Sequence, residues 1–362
     1  MDLSWSEANI AWAANLRARL TLPDESVVSG GWESLADAEI ARHLLPGSGR
    51  SLASPERAML AMIEHGRALL PFPVVETVVL PGQCLAANRL FADHSHSLAE
   101  VAGDVAVAWQ DPAASDNFAL RSDAVASGWQ LTGRKAVVVG APGAARFVVA
   151  ARSGATAQLF LVEADTSGLS LVPYMTIDGR SAADLVLVDV VVGSPNLIAS
   201  GDAAELLLAR ALDVAAAVNC AQAVGMMRFL VDATANYLKE RKQFGRALSS
   251  FQALQHRMVD MLLHTEMAEA ASLRALLSLD LAPDGRAYAV SAAKVTTGEA
   301  ARFVGQNAIQ LHGGQGMRDA TLATRFFRRL TAIDLTFGNS QDHLARLSAL
   351  TVAKKGEPHR KL

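Results

Sequence analysis

Tyr237-Leu-Lys-Glu-Arg-Lys-Gln-Phe-Gly245, followed by Ser250-Phe-Gln-Ala-Leu-Gln-His256, is the stretch on which the reading of this sequence turns. Basic residues close one helical pattern, Gly245 is placed to stop it, and the Phe251-Gln252 pair opens the next. In its plain form this is a helical hairpin with a charged corner. In its sharper form the corner binds an anion, with the planar Arg241 guanidinium as a fork for phosphate oxygens. A second stretch, Ala308-Ile-Gln-Leu-His-Gly-Gly-Gln-Gly316-Met, runs a helix carrying Gln310 into three glycines. Their bare backbone lets a ligand or another chain approach closely.

Working outward, three textures follow one another. Residues 1–104 read as helices broken by Pro23, Pro46, Pro55 and the Pro71–Pro73 pair, with Ser6 as N-cap of the first and Asp37–Leu45 as another. Residues 105–200 read as short strands: Gly128–Gly133, Lys135–Val139, Arg146–Ala151, Gln158–Val162 and Ala183–Val192. Strands at such even spacing predict an antiparallel sandwich or barrel. Residues 201–362 return to helix, punctuated by Pro283-Asp284-Gly285 and the Gly313–Gly316 loop, with Lys354–Leu362 as a solvated tail.

Composition narrows the function classes. The 362 residues are 51% hydrophobic and only 19% charged, with a formal net charge of −3, so there is no electrostatic footprint for nucleic acid. Much of the apolar fraction is Ala, which favours helix. Two cysteines, Cys84 and Cys220, cannot build a disulfide framework, and Met1–Glu7 lacks the pattern of a signal peptide, so a cytoplasmic setting is expected. The apolar stretch from Ala203 to Val231 is interrupted by Glu205, Arg210, Asp213, Asn219 and Arg228, and no membrane span is expected. There is no metal-spaced Cys/His cluster; His256, His264, His312 and His343 are scattered and read as surface or packing residues.

Taken together and in this order, Arg241-Lys-Gln-Phe-Gly245, Phe251-Gln-x-x-Gln-His256 and Gln310-x-x-Gly-Gly-x-Gly316 resemble the acyl-CoA dehydrogenase family over nearly the whole chain. The opening Met1–Glu7, the Asp111–Asp116 loop and Thr132-Gly-Arg-Lys135 are similar as well. Phe303–Gly314 and Arg329-Leu-Thr-Ala-Ile-Asp-x-x-Phe-Gly338 look like the small subunit of pimeloyl-CoA dehydrogenase-type heteromers. The resemblance implies a mainly α fold with a β module: an N-terminal helical domain, a middle antiparallel β domain and a C-terminal four-helix bundle. It also implies FAD, with Arg241 at the pyrophosphate, Phe244 beside the adenine, and Gln252, Gln310, Gly313 and Gly314 lining the adenosine end. Asn339 and Gln341 join the expected cofactor contacts. In that family this half of the site serves a neighbouring subunit's flavin, so the resemblance implies an oligomer; it also implies an acyl-CoA substrate and an electron-transfer flavoprotein as acceptor.

The resemblance also marks what is missing. The family's base is a Glu that removes the α proton of the thioester while a hydride leaves the β carbon. Its usual position holds Phe337, and its alternative position holds Ala215. Asp213 stands two residues from Ala215, turned about 200° around a helix, and is expected to play a structural role at a helix start. The flavin loop is shortened to Gln110–Asp116, and Val137-Val138-Val139 replaces the Trp-x-Thr that covers the flavin ring. The first expectation is a subunit without a base that completes the flavin site of a larger homologous partner in an α2β2 assembly. The alternatives are a self-sufficient homomer using a base such as Asp213, and a non-enzymatic scaffold. Dicarboxylic, fatty, sterol and bile-acid acyl groups all stay open.

Overall fold

The computed structural model describes residues 5–20, 37–47, 49–86, 104–112, 117–318 and 321–356. The chain forms two compact units: residues 1–30, 54–70 and 216–362 in one, and residues 31–53 and 71–215 in the other. The N-terminal helical stretch is therefore divided between them. Helices α1 (Glu7–Arg19) and α3 (Pro55–Arg67) join the C-terminal helices, whereas α2 (Asp37–Leu44) and α4 (Leu80–Leu85) join the strands. Ser6 caps α1 by accepting the Asn9 N–H, and Ser54 caps α3 in the same way with Arg57.

The strand-bearing unit is built on one eight-stranded mixed sheet. Its strands are β1 (Val105–Ala108), β2 (Arg121–Val125), β3 (Gly128–Val139), β4 (Arg146–Ser153), β5 (Thr156–Glu163), β6 (Leu169–Met175), β7 (Ser181–Val192) and β8 (Leu197–Ser200). The order along the sheet is β6-β7-β3-β2-β4-β5-β8, with β1 pairing alongside β4. Most pairings are antiparallel, as expected. Two are parallel: β1 with β4, from Val105 opposite Arg146 to Ala108 opposite Val149, and β2 with β4 at Arg121 opposite Arg152. The whole β2–β3 hairpin lies between β1 and β4, which gives the chain the length a parallel return needs. Central β4 and β5 are apolar on both faces and bury Phe147, Val149, Phe160 and Val162 against Leu131, Leu185 and Val190. Edge strand β6 tolerates Pro173, which has no N–H to give a ladder.

A long helix, α5 (Asp202–Glu240), runs from this unit into the helical one. By length and composition its most apolar window, mean hydropathy 1.5, suits a membrane span; 83% of that window is buried inside the protein, as in a core helix. The first turns bury Ala204 and Leu208 against Leu159 and Phe118.

After α5 comes a short hairpin, β9 (Lys242–Gln243) and β10 (Arg246–Ala247), then α6 (Gln252–Leu277), α7 (Pro283–His312), α8 (Leu322–Leu335) and α9 (Ser340–Gly356). Small side chains let these helices come close: Ala268 and Ser272 of α6 are buried, as are Ala293, Thr297, Ala300 and Ala301 of α7. Ser272 Oγ lies 3.4 Å from Thr297 Oγ1 across that seam. Helices α3 and α5 approach still more closely through Gly66 and Gly225. A β carbon at Gly225 would sit 1.9 Å from the Ile63 carbonyl oxygen, and one at Gly66 would sit 2.1 Å from that of Gln222. A buried polar bridge ties three helices, since Gln222 of α5 lies 2.9 Å from His65 Nδ1 of α3 and accepts Arg329 Nη2 of α8 at 3.0 Å. Phe229 and Phe326 stack beside it with centroids 4.2 Å apart.

Candidate functional site

Helix α5 ends at Glu240, so Gly245 is a hairpin-turn residue rather than a helix stop. Arg246 pairs with Gln243 across the hairpin, and Leu248 N–H donates to the Arg241 carbonyl at 2.8 Å. The two turn residues, Phe244 and Gly245, both have positive φ, at 54° and 77°. Gly245 adopts that conformation freely; Phe244 does so against the steric preference of an L residue. Phe244 is 90% exposed, and its ring meets Phe251 edge-on at 6.1 Å, while the Arg246 guanidinium lies 4.0 Å over the Phe251 ring. Arg241 and Gln252 are exposed on the same corner. Apart from that edge contact with Phe251, a large apolar side chain held in a strained turn is pointed at solvent, which marks it for a surface role.

The glycine stretch is anchored at both ends and open in the middle. Gly316 is shut in: a β carbon there would stand 2.6 Å from the Ile309 carbonyl, and its own carbonyl accepts Thr324 Oγ1 at 2.7 Å. At Gly313 and Gly314 a β carbon would meet nothing within 4 Å, and Gly313 has φ 59°. Gln310 is exposed one turn before them. The two stretches are brought together by Tyr237 and His312, whose rings stack at 4.5 Å and 22°, with the Tyr237 hydroxyl donating to the His312 carbonyl at 3.2 Å. Sequence reasoning missed this link, because His312 was one of four scattered histidines. The others pack or lie outside: His264 stacks on Phe303, His343 is buried, and His256 is exposed.

The remaining expected contacts divide between the units. In the helical unit, Asn339 Oδ1 accepts the Gln341 and Asp342 N–H groups at 2.8 and 3.0 Å, and the Asn339 N–H donates to Asp342 Oδ2 at 2.9 Å. Asn339 is thus an N-cap of α9 with its oxygen already engaged, while Gln341 is exposed. Phe337 is buried at φ 60°, and its carbonyl lies 3.0 Å from His343 Nε2, whose other nitrogen is 3.1 Å from Ser291 Oγ. The buried Lys294 ammonium donates to the Ile333, Asp334 and Thr336 carbonyls at 3.0, 3.3 and 2.8 Å. Burial pushes its pKa below the ordinary lysine value. The signal for Lys294 was its place on the Ala-rich buried face of α7. This loop is fastened by a cation and a histidine and offers no carboxylate at position 337.

In the strand-bearing unit, Ala215 and Asp213 are both buried in α5. Asp213 is about three turns into that helix, which corrects its expected place at a helix start. The register between β3 and β7 shifts between Lys135 and Val138, leaving Val137 at φ 53° and 46% exposed. Its N–H donates to Asp184 Oδ1 at 3.0 Å and to the Tyr174 hydroxyl at 3.1 Å, and Tyr174 itself donates to Asp184 at 2.8 Å. Arg134 completes the cluster on the other Asp184 oxygen. Burial works to raise the Asp184 pKa, but the Val137 N–H, Tyr174 and Arg134 together hold it below the usual carboxylate value. Burial and the Asp184 charge push the Tyr174 phenol up to about 12. Lys135, fully buried, pairs with Asp111 at 2.8 Å and donates to the Asn117 carbonyl at 2.7 Å, closing the stem of the loop whose residues 113–116 lie outside the described residues. Among the described residues no cluster of His, Cys, Asp or Glu is arranged to hold a metal.

The family model for the acyl-CoA dehydrogenase C-terminal domain matches residues 206–349. A solved Tcur3481–Tcur3483 steroid ACAD variant is 30% identical, with 95% of this chain and 94% of that chain covered at a TM-score of 0.77. This chain belongs to the acyl-CoA dehydrogenase family. FAD is the cofactor of that family. A probable acyl-CoA dehydrogenase, YngJ of Bacillus subtilis (strain 168), is 30% identical over 63% of this chain and 63% of its own length, so the match spans less than two thirds of this curated relative. The ChsE4–ChsE5 complex from Mycobacterium tuberculosis shares the fold, with a TM-score of 0.84 at 22% identity and 99% and 100% coverage.

The residues present fit one half of FAD. Exposed Arg241 and Phe244 and the open Gly313–Gly314 backbone suit a pyrophosphate and an adenosine. The Val137–Val139 end of β3 does not suit an isoalloxazine ring: it carries no hydroxyl, and the Val137 N–H is already taken by Asp184 and Tyr174.

Proposed function

We propose that this chain is a subunit of an FAD-dependent acyl-CoA dehydrogenase that lacks the catalytic Glu and completes the flavin site of a larger homologous partner. The observation that carries this reading is Phe244, 90% exposed at a strained turn beside exposed Arg241. Such a side chain serves a surface outside its own chain. FAD, when bound, supplies the hydride acceptor, and the partner supplies the carboxylate that takes the α proton. This chain's part is to bind: Arg241 holds the pyrophosphate charge, Phe244 covers the adenine, and Gln252, Gln310, Gly313 and Gly314 fix the adenosine end. The buried Phe337 and Ala215 stand where a base would be.

The partnership is supported by two solved relatives, the Tcur3481–Tcur3483 steroid ACAD variant and the ChsE4–ChsE5 complex, and an α2β2 assembly is the form we propose. The first of these is a steroid ACAD, which favours a bulky, steroid-type acyl-CoA over a dicarboxylic one. Electrons then pass to an electron-transfer flavoprotein. Both cysteines are buried and free, in keeping with a cytoplasmic enzyme.

The test is expression of this chain alone and with a larger acyl-CoA dehydrogenase subunit. Alone it is colourless and inactive; together they give a yellow complex whose flavin is lost in the Arg241→Ala variant. A yellow, active oligomer of this chain alone overturns the proposal. Loss of its turnover in Asp213→Asn, with flavin retained, would then identify Asp213 as base.

A further inference from the structure

Tyr237 and His312 make the one cross-helix connection, among the contacts described above, between the Arg241 corner and the glycine loop. Tyr237 is the last-turn residue of α5 whose carbonyl accepts the Arg241 N–H at 2.8 Å, so its position sets where the hairpin departs. His312 is the last residue of α7, and Gly313 follows it directly. The ring stack and the hydroxyl bond to the His312 carbonyl therefore join the final residue of one helix to the final turn of another. His312 is held in place on its own side: its Nδ1 lies 2.8 Å from the Ala308 carbonyl, and its β carbon would stand 3.0 Å from a β carbon at Gly316. On the far side of the loop Thr324 holds the Gly316 carbonyl. Gly313–Gln315 is thus suspended between two fixed points, and one of those points also fixes the arginine hairpin.

We propose that Tyr237 and His312 are positioning residues that set the spacing between Arg241 and the Gly313–Gly314 backbone, so that both engage one bound dinucleotide together. This rests on the shared-flavin reading above. With or without a flavin, loosening the stack releases the hairpin and the loop as one event, since neither has another tie to the other among these contacts.

Amide hydrogen exchange on the full chain tests that part directly. In Tyr237→Ala the amides of residues 241–248 and of residues 313–317 exchange faster together, by about ten-fold, the equivalent of one aromatic stack with its hydrogen bond. Tyr237→Phe keeps the stack and stays within about three-fold of the wild type. If Tyr237→Ala does not fold, His312→Ala removes the stack from the other side and carries the same expectation. Release of only one segment, or of neither, overturns the proposal.

Flavin retention by the complex with the larger subunit is the second readout. It falls in Tyr237→Ala, is restored in Tyr237→Phe, and leaves subunit assembly by gel filtration unchanged. Retention equal to wild type in a Tyr237→Ala complex whose two segments have loosened overturns the positioning role. Retention unchanged in Arg241→Ala sinks the shared-flavin reading instead, and exchange alone then judges the link.

Discussion

Replacing Gly225 by Ala puts one methyl group at the crossing of α3 and α5, and its cost can be worked from the geometry. The new β carbon would lie 1.9 Å from the Ile63 carbonyl oxygen, 2.7 Å from its carbonyl carbon and 2.9 Å from its Cα. The first distance is about 1.5 Å inside ordinary contact, and every atom it meets is backbone, so no rotamer change relieves it. The helices must part, which opens the seam around Met59, Met62, Ile63 and Met226 and stretches the His65–Gln222–Arg329 bridge across the same crossing. Overpacking of this kind costs about 1–3 kcal/mol or more, against a gain of about 1 kcal/mol from helix propensity. Because the clash is with a main-chain carbonyl, we take the upper part of that range and expect a net loss of about 2 kcal/mol. In a cooperative unit of this size that lowers the melting temperature by about 4–8 °C. Urea unfolding and a thermal scan measure it, with Gly285→Ala as control. Gly285 lies in the first turn of α7, where a β carbon meets Leu281 at an ordinary 3.4 Å, so Ala there is neutral or stabilising. A Gly225→Ala protein as stable as the wild type would refute the packing argument.

Phe244→Asn places a residue tolerant of positive φ in the hairpin turn, so the melting temperature is unchanged or raised, while flavin retention by the complex falls; a clear drop in stability would show that Phe244 serves the fold. Burial and Asp184 should place the Tyr174 phenol's ionisation near pH 12 in an ultraviolet titration, and Asp184→Asn should move the midpoint back toward the ordinary tyrosine value. Asp184 has a depressed folded pKa, so its contribution is complete above the unfolded carboxyl value and lost as pH falls through the lower folded one. Denaturation of wild type and Asp184→Asn should therefore differ most at neutral pH and converge in acid. Lys294→Met leaves three carbonyls at the end of α8 without their donor and costs about 2–3 kcal/mol in urea unfolding, offset in part by removing a buried charge.

The periodic parts of the fold were legible because period and punctuation act locally. Ser6 caps α1, Pro283 opens α7, and the apolar runs at Arg146–Ala151 and Gln158–Val162 became the buried strands β4 and β5. Short or broken strands were not legible. β2 is largely exposed with Ser122 turned inward onto Gln158, and β6 contains Pro173, so neither carries an alternating apolar signal. The turn at Phe244-Gly245 was misread as a helix stop, because a glycine after a basic helix end serves either purpose.

The sequence by itself determined the motifs and their order along the chain. Arg241, Phe244, Gly313 and Gly314 match motif positions of the family, and Phe337 and Ala215 are apolar residues at the two positions where the resemblance leads one to expect the base. Those facts are covalent and need no folding. Only the tertiary structure decided how these residues are used. It turned Phe244 outward at a strained φ, spent the Asn339 oxygen on a helix cap, and gave the Val137 N–H to Asp184. It also joined the corner to the loop through two rings distant in sequence. Each of these outcomes depends on a partner supplied by another element, and a contact between distant elements leaves no period in the chain.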